Sequence, residues 1–575
     1  MEFLNSNITD DQFAAIRSDA RQLRILAGAG TGKTRVLTQR IAYQINAVKI
    51  EPAHSLCLAF TNKAAREVKS RLGSLGEASS VHTGTFHSIA YKQVKARWKD
   101  IGIREQPELI TNRSGYVNRV LPDKYENTER NFVLGEINWA TAQRISVEDY
   151  IGEAEKAERI DLVPFSSVAE HFRKYLSLKR KGNFIDFDDI IQLAIEYLAE
   201  DISYAESRHW KYRDLFVDEF QDVNPLQFGL LQAWLSSKSS LTVVGDPCQA
   251  IYSWNGADSR FLNNFQEFFP DSQTITLRDN FRSTPEILAP ATSLLHNMES
   301  LVPRIPKGRL PTIRAVEDEY AEAQSIANLI KELLSESITF GDQAVLVRTH
   351  AQISPILETF KEQRIKYKVA TDTDAEVASD ESDHVQILTL HAAKGLEWKI
   401  VHLCGVEEGF HPIAHARTDS AQDEERRLFF VGLTRAEKEL HISWARNRLL
   451  GTKRNRKPSI YIKEINSLLD PTPLNFGRGK QVKVETIRKD RKPLGSSVHQ
   501  SLHNNTGKSN AKELDRLREN IAKANDSTPE LVLSDEVIKV IISQEPKTLQ
   551  DLSRIPQISS VMIDRFGDQI IEIFS

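Results

Sequence analysis

Residues 25–34 read Ile25-Leu26-Ala27-Gly28-Ala29-Gly30-Thr31-Gly32-Lys33-Thr34. An apolar run, a glycine-rich turn, Gly-Lys-Thr and then the helix-compatible Arg35-Val36-Leu37 form the layout of a phosphate-binding loop. Small residues let backbone N–H groups surround phosphates, and the N-terminus of the following helix adds a positive dipole. In that layout Lys33 reaches the outer phosphates and Thr34 holds Mg²⁺. The first position of the usual pattern is Ala27 here, not glycine. A glycine-rich turn without a ligand is the plainer alternative. Strand, turn and Gly-Lys-Thr occur together, so the stretch is read as a nucleotide-phosphate site in an α/β chain.

Working outward, Leu215-Phe216-Val217-Asp218-Glu219-Phe220-Gln221-Asp222 is an apolar strand ending in adjacent carboxylates. After a phosphate loop, the first carboxylate holds Mg²⁺ and the second orients or deprotonates the attacking water. A solvated acidic turn is the alternative. The next strand, Leu241 to Pro247, leads to Gln249 and then to Tyr252-Ser253-Trp254-Asn255-Gly256. An amide near the γ-phosphate, followed by exposed aromatics, would couple hydrolysis to base stacking. Trp254 taken alone reads as readily as a core aromatic. Ser55 to Phe60 is an apolar strand ending in Thr61-Asn62-Lys63, suited to a phosphodiester, and Val81 to His87 again ends in polar and aromatic residues. Before the loop, Thr9 or Asp10 is an N-cap for a helix carrying Gln12, whose amide can pair with an adenine edge.

Residues 89–183 carry charged, aromatic-dotted helical patterns and no convincing strand, which reads as a helical insertion. The α/β pattern resumes from Asp186. Leu277-Arg278-Asp279-Asn280-Phe281-Arg282-Ser283 supplies a strand-end arginine. A second half follows: a helix near 317–335, a strand Ala344 to Arg348, a helix through 351–363 and a buried strand Val385 to Leu390. That strand continues as His391-Ala392-Ala393-Lys394-Gly395-Leu396-Glu397-Trp398. Glu424 to Ala436 is an arginine-striped helix ending near Arg435. Two strand–helix halves, each offering an arginine, place a nucleotide in the cleft between them, where the guanidinium groups neutralise transition-state charge. From about 451 the chain turns basic, with Lys453, Arg454, Arg456 and Lys457, then polar, and closes with helical patterns after 511. There is no internal repeat.

With 575 residues the chain is too long for a single core. Its 40% hydrophobic and 27% charged composition excludes a membrane-spanning class, and no apolar run could cross a bilayer. Met1-Glu2-Phe3-Leu4-Asn5 has no basic and apolar leader, so export is not expected. Cys57, Cys248 and Cys404 are too dispersed for a disulfide framework or a zinc site. A net charge of −4 requires any polyanion to be bound by a local groove.

The ordered set resembles the superfamily 1 DNA helicases of the UvrD/Rep/PcrA family over roughly residues 5–465. The resemblance implies two tandem RecA-like motor domains: 1A in residues 1–88 and 184–285, 2A in 286–465, and a helical insertion, 1B, in 89–183. It implies ATP and Mg²⁺ as ligands. Gln12 reads adenine, Ala27, Gly28, Ala29, Gly30, Thr31, Gly32, Lys33 and Thr34 hold the phosphates, and Arg35 lies near the sugar or base. Asp218, with Thr34, binds Mg²⁺; Glu219 activates water, Gln249 senses the γ-phosphate and Arg282 and Arg435 face it. Glu397 contacts the ribose, and Phe281 stands where the family usually stacks a tyrosine on adenine. Thr61, Asn62, Thr85, Phe86, Tyr252, Trp254, Thr389 and His391 match contacts to single-stranded DNA. Residues 511–575 resemble an HRDC domain, reached through a basic flexible linker at 466–510. Its turn Pro556-Gln557-Ile558-Ser559-Ser560 lacks the usual glycines, so DNA binding and protein docking both stay open for it.

The family's second motor domain is interrupted by a helical 2B subdomain. Here only Thr371 to Asp383 remains, thirteen residues of which six are acidic. A domain needs about 50 residues, so that subdomain is missing. The function implied is an ATP-dependent 3′-to-5′ DNA helicase and single-stranded DNA translocase of repair, replication or recombination. It would act on single-stranded, tailed or forked DNA, in a bacterial cytoplasm and on the nucleoid, with a protein partner at the tail and no membrane. The alternatives are a translocase that strips proteins while unwinding weakly, and a DNA-binding scaffold switched by ATP.

Overall fold

The computed structural model forms two compact units, Met1–Asn475 and Phe476–Ser575. It describes residues 8–295, 301–335, 337–370, 383–448 and 455–470 of the first unit. In the second it describes 513–518, 535–544, 546–552, 555, 569–571 and 573–574.

The first unit is built on two six-stranded sheets. The first contains β1 (Gln22–Ala27), β2 (Ser55–Ala59), β3 (His82–Thr85), β6 (Asp214–Val217), β7 (Ser240–Gly245) and β8 (Gln273–Leu277), in the order β3-β2-β6-β7-β1-β8. Every pairing is parallel. Parallel strands are covered on both faces, and alternation sends successive residues to opposite sides. Leu56, Leu58, Leu215, Val217, Leu241 and Val243 therefore join the core under helices Phe86–Asp100, Phe187–Glu200 and Pro225–Trp234. Cys57, Phe216 and Val244 turn the other way, against helices Asp10–Arg17, Lys33–Asn46 and Asn62–Gly73.

The second sheet repeats the plan. β11 (Thr312–Val316), β12 (Gln343–Val347), β13 (Tyr367–Val369), β14 (Val385–Thr389), β15 (Trp398–Leu403) and β16 (Ala436–Ala445) lie in the order β11-β16-β15-β12-β14-β13. All pairs are again parallel. This is the tandem RecA-like arrangement, and ligands of such sheets bind beyond the carboxyl ends of the strands. The two halves share apolar packing: Ala29 and Ile251 belong to the same core as Leu388, Leu403 and Phe429.

Between β3 and β6 stands the insertion, whose own core joins helices Asn127–Ala142, Tyr150–Lys156 and Phe165–Lys181. The expectation that it contains no strand needs correction. β4 (Glu108–Leu109) pairs in parallel with β5 (Phe184–Ile185) and brings the entry and exit of the insertion together. Two residues per strand carry too little alternation to be read from the sequence. Buried charge fastens the same seam: Lys179 binds Asp186 and Asp189, and Arg113 binds Asp188.

In the second half β13 and β14 are neighbours, with Tyr367 opposite Val385, so the chain returns between them within residues 370–384. Of the acidic remnant Thr371–Asp383, only Asp383 lies among the described residues, and the stretch 471–512 lies outside them as well. In the second unit, helix Asp535–Gln544, helix Leu549–Leu552 and the segment 513–518 share a small core of Leu514, Ile538, Ile541, Leu552, Ile555 and Ile570. Thr548 caps the short helix by accepting from the Asp551 N–H at 3.2 Å. The turn Pro556 to Ser560 lies outside the described residues.

One buried side chain pins the nucleotide-side helix to the sheet. Arg40, 1% exposed, donates to the carbonyls of Ala15 and Ser18 at 2.8 and 2.9 Å and to Thr242 Oγ1 at 3.1 Å. Arg40→Met leaves these buried acceptors without a donor. It should destabilise the motor by about 3 kcal/mol, read as a lower urea midpoint with an unchanged slope.

Candidate nucleotide and nucleic-acid site

The loop after β1 passes into helix Lys33–Asn46 through two glycines with left-handed backbone, Gly30 at φ +69° and Gly32 at φ +80°. Gly30 has a second reason to be glycine: a Cβ there would stand 2.5 Å from Asn280 Nδ2. Asn280, after β8, clamps the loop by donating to the Ala29 carbonyl at 2.7 Å, and the Phe281 N–H donates to the Gly30 carbonyl at 2.9 Å. No side chain caps the helix at Gly32, so its first N–H groups are open to an anion. Ala27 closes β1 and is buried, and the Ala29 side chain packs in the core, so neither side chain lines the cleft. The departure from glycine at Ala27 costs nothing at a strand end.

Asp218 and Glu219 follow β6. Thr34 Oγ1 donates to Asp218 Oδ2 at 2.9 Å, which brings two oxygen ligands together beside the helix N-terminus. That donor set fits Mg²⁺, a hard cation that takes few protein oxygens. Glu219 adopts a left-handed backbone at φ +51°, which turns its side chain toward Lys33, 3.5 Å away. Burial and the neighbouring Glu219 push the Asp218 carboxyl up to about 6. Burial also disfavours the Glu219 charge, but Lys33 and Lys394 outweigh it and hold that carboxyl down at about 2. Both carboxyls therefore carry charge at neutral pH, Asp218 against its burial and Glu219 with the support of two lysines.

A cleft of about 700 Å³ collects the rest of the expected set. Gln12, Gly28, Gly30, Thr31, Gly32, Lys33, Thr34, Arg35, Glu219, Gln249, Phe281, Arg282, Glu397 and Arg435 line it. Thr9 is the N-cap of the first helix, and its N–H donates to Gln12 Oε1, while Gln12 Nε2 donates to the Thr31 carbonyl at 3.0 Å. Gln249 Nε2 donates to Asp246. Arg282 pairs with Glu397 at 2.5 Å, so Glu397, expected at a ribose, is occupied by the arginine expected at a phosphate. Arg435 is 1% exposed and donates to the carbonyls of Val431 and Leu396 at 2.9 and 3.0 Å. Burial and Arg282 pull its pKa down to about 9, which keeps it charged at neutral pH.

A second constellation lies behind Gln249. Tyr252 stacks on Phe60 at 5.8 Å and 15°, and Tyr252, Trp254 and His391 form a triangle with ring centroids 6.2–6.4 Å apart. Trp254 is 53% exposed, which decides against a core aromatic. His391 comes from the second half. Burial, Arg348 and Lys394 push its pKa down to about 3, leaving a neutral ring. Thr61 and Asn62 are exposed at the start of their helix, where Thr61 Oγ1 accepts from the Ala64 N–H at 3.1 Å.

Three expected DNA contacts are placed differently. Phe86 is 3% exposed and stacked on Trp234 at 6.3 Å and 9°, inside the core of the first sheet. As the first residue of its helix it turns inward, so it is corrected from a strand contact to a core residue. Thr85 is buried and caps that helix by accepting from the Ser88 N–H. Thr389, also buried, accepts from the Ala392 N–H at 3.3 Å.

Sequence reasoning missed four participants: Phe60, Gln221, Asn280 and Lys394. Gln221 joins Glu219 to the next strand, with Nε2 donating to Glu219 and Oε1 accepting from the Asp246 N–H at 3.0 Å. Phe60 carried a signal, since it ends the apolar strand that Thr61 follows. The role of Asn280 depends on a loop 251 residues away and left none.

The comparisons with known proteins agree with this geometry. The UvrD/REP helicase N-terminal domain matches residues 8–270, the UvrD-like helicase C-terminal domain matches 275–375 and 370–447, and the HRDC domain matches 508–574. The two C-terminal segments meet where the 2B subdomain was expected to be missing. The chain is 28% identical to the ATP-dependent DNA helicase UvrD2 of Mycobacterium tuberculosis over 690 aligned positions, covering 99% of this chain and 98% of that protein. Since 690 exceeds 575, at least 115 of those positions face gaps here. It is 26% identical to the ATP-dependent DNA helicase PcrA of Leuconostoc citreum, over 86% of this chain and 89% of that protein. It is also 33% identical to PcrA of Staphylococcus epidermidis over 64% of this chain and 51% of that one.

The raised Asp218 carboxyl gives a signed prediction. A folded pKa of about 6 against an ordinary 3.8 means the ionised group costs stability above pH 6, and the cost fades as pH falls toward 4. Asp218→Asn should therefore raise the stability of the nucleotide-free protein at pH 7 by about 3 kcal/mol. Melting temperatures of the two proteins should converge near pH 4.

Proposed function

The chain belongs to the UvrD/REP family of ATP-dependent DNA helicases, and from that premise we propose that it is an ATP-driven motor on single-stranded DNA. The observation that carries this reading is the shared wall between the two constellations. Gln249 lines the nucleotide cleft, and three residues later Tyr252 joins the aromatic triangle.

The nucleotide's phosphates lie against the open N–H groups of helix Lys33–Asn46, with Lys33 on the outer phosphates. Thr34 and Asp218 would hold Mg²⁺, which supplies charge neutralisation for the phosphates. Glu219, kept ionised by Lys33 and Lys394, accepts the proton of the attacking water. Arg282 and Arg435 approach from the two halves. The cleft's cations are already matched to its carboxylates, Lys33 to Glu219 and Arg282 to Glu397. A triphosphate competes for both, and this exchange of partners would draw the halves together and free Glu397 for the ribose.

Bases stack on Trp254 and Tyr252, with His391 beside them. Stacking tolerates any sequence, as a motor requires. Thr61 and Asn62 take the sugar–phosphate backbone. The 3′-to-5′ direction and a role in repair, replication or recombination of bacterial chromosomes rest on the family resemblance. The 115 or more positions missing relative to the mycobacterial helicase support a second reading. The motor translocates and displaces bound proteins while opening duplex weakly.

ATP hydrolysis should rise when single-stranded DNA is added, and absence of that rise would sink the reading. Glu219→Gln should cut hydrolysis by about 10²–10⁴-fold with DNA affinity retained. Trp254→Ala should weaken oligonucleotide binding by about 1–3 kcal/mol, measured by anisotropy. Efficient opening of 3′-tailed duplexes by monomeric protein counts against the displacement reading. Preference for 5′ tails counts against the direction.

A further inference from the structure

Lys394 lies in the turn after β14, on the second half of the motor, with a side chain only 6% exposed. Its Nζ donates to both carboxylate oxygens of Asp222 at 2.7 Å and to the Gln249 carbonyl at 2.6 Å. The same nitrogen lies 5.0 Å from the centroid of the Tyr252 ring. One ammonium group thus touches three features of the opposite half.

Each feature leads somewhere different. Asp222 closes the short helical turn that begins after Glu219, and its N–H donates to the Glu219 carbonyl at 3.0 Å. A shift of Asp222 is therefore passed to the backbone of Glu219, which already holds a left-handed conformation that only its surroundings enforce. The Gln249 carbonyl belongs to the residue whose side chain lines the cleft. Tyr252 is the ring stacked on Phe60 at the aromatic triangle. A cation over an aromatic face is attracted by about 0.5–2 kcal/mol, and most strongly where water is excluded.

We infer that Lys394 is a positioning residue through which a base stacked on Tyr252 sets the geometry of Glu219 and Gln249. The inference rests on the motor reading above and deepens it. A base that moves or covers the Tyr252 ring alters one of the attractions holding the ammonium. The ammonium then redistributes between Asp222 and the Gln249 carbonyl, and the catalytic pair follows. Lys394 touches no reacting atom. Its purpose is to make hydrolysis depend on the strand.

The competing account is a structural ion pair, and a charge-neutral exchange separates the two. Lys394→Met leaves Asp222 buried without its partner, whereas Lys394→Met with Asp222→Asn removes both charges together. Full-length proteins are compared for ATP hydrolysis with and without oligothymidylate, for oligothymidylate affinity and for melting temperature. The ratio of DNA-stimulated to DNA-independent hydrolysis should fall about tenfold in Lys394→Met. The double variant should recover the melting temperature without recovering that ratio, while DNA affinity stays at the wild-type level in both. Recovery of the ratio in the double variant overturns the inference, as does a loss of affinity that accounts for the lost stimulation. Lys394→Gln, which keeps a donor and removes the charge, gives the same reading if Lys394→Met does not fold. A wild-type protein that DNA does not stimulate defeats the motor reading itself, and that outcome is distinct from the others.

Discussion

Two carboxylates on consecutive residues cannot share a dry strand end unless something separates their charges. Asp218 and Glu219 meet that constraint, and much of the motor is arranged around it. The left-handed backbone of Glu219 points the pair apart. Thr34 donates to one and Gln221 to the other, and Lys33 supplies a full positive charge. Their effect is asymmetric, with Asp218 pushed up to about 6 and Glu219 held down at about 2. Each compensating group has a further attachment: Lys33 opens the nucleotide helix, Gln221 ties to the strand end at Asp246, and Lys394 belongs to the other half. The cleft is thereby a charge balance spread over two domains, and closing or opening them alters it.

Much of this was legible in the sequence because the informative residues are local. Gly-Lys-Thr after an apolar run, and Asp-Glu after another, each need only a strand and its first turn. They predict positions that the fold brings to within 2.9 Å across 184 residues. The nucleotide half of the site gathered almost as expected. Misplacements concern residues whose role depends on which way a helix start faces. Phe86 opens a helix directly after β3 and packs under Trp234, whereas Trp254 sits in a short turn beyond β7 and is left exposed. The aromatic residue type alone does not tell them apart. Contacts such as Asn280 to the Ala29 carbonyl or Lys394 to Asp222 pair distant segments, so no spacing rule could reveal them. The two-residue strands that pair at the base of the insertion fell below any periodicity.

The insertion and the return from β13 to β14 are two contrasting connections in this motor. The insertion has its own core and is closed at its base by a short strand pair and by ion pairs to the start of helix Phe187–Glu200. The return from β13 to β14 is the opposite case. There the two strands pair in register across a short return.

The strand order of the first sheet also bears on how the protein is made. β1 sits between β7 and β8, so Gln22 finds its partner Leu241 only 219 positions later, and Leu23 waits for Gln273. A ribosome adding about 5–20 residues per second needs roughly ten to forty seconds to deliver that partner. Throughout that interval the strand leading into the phosphate loop has neither neighbour, and an uncovered edge invites pairing with other chains. The insertion, which closes on itself between β4 and β5, can assemble meanwhile as a unit of its own. The order of synthesis therefore makes the nucleotide pocket the last part of its domain to be completed. A nascent chain of this motor cannot hold ATP until nearly half of it has emerged.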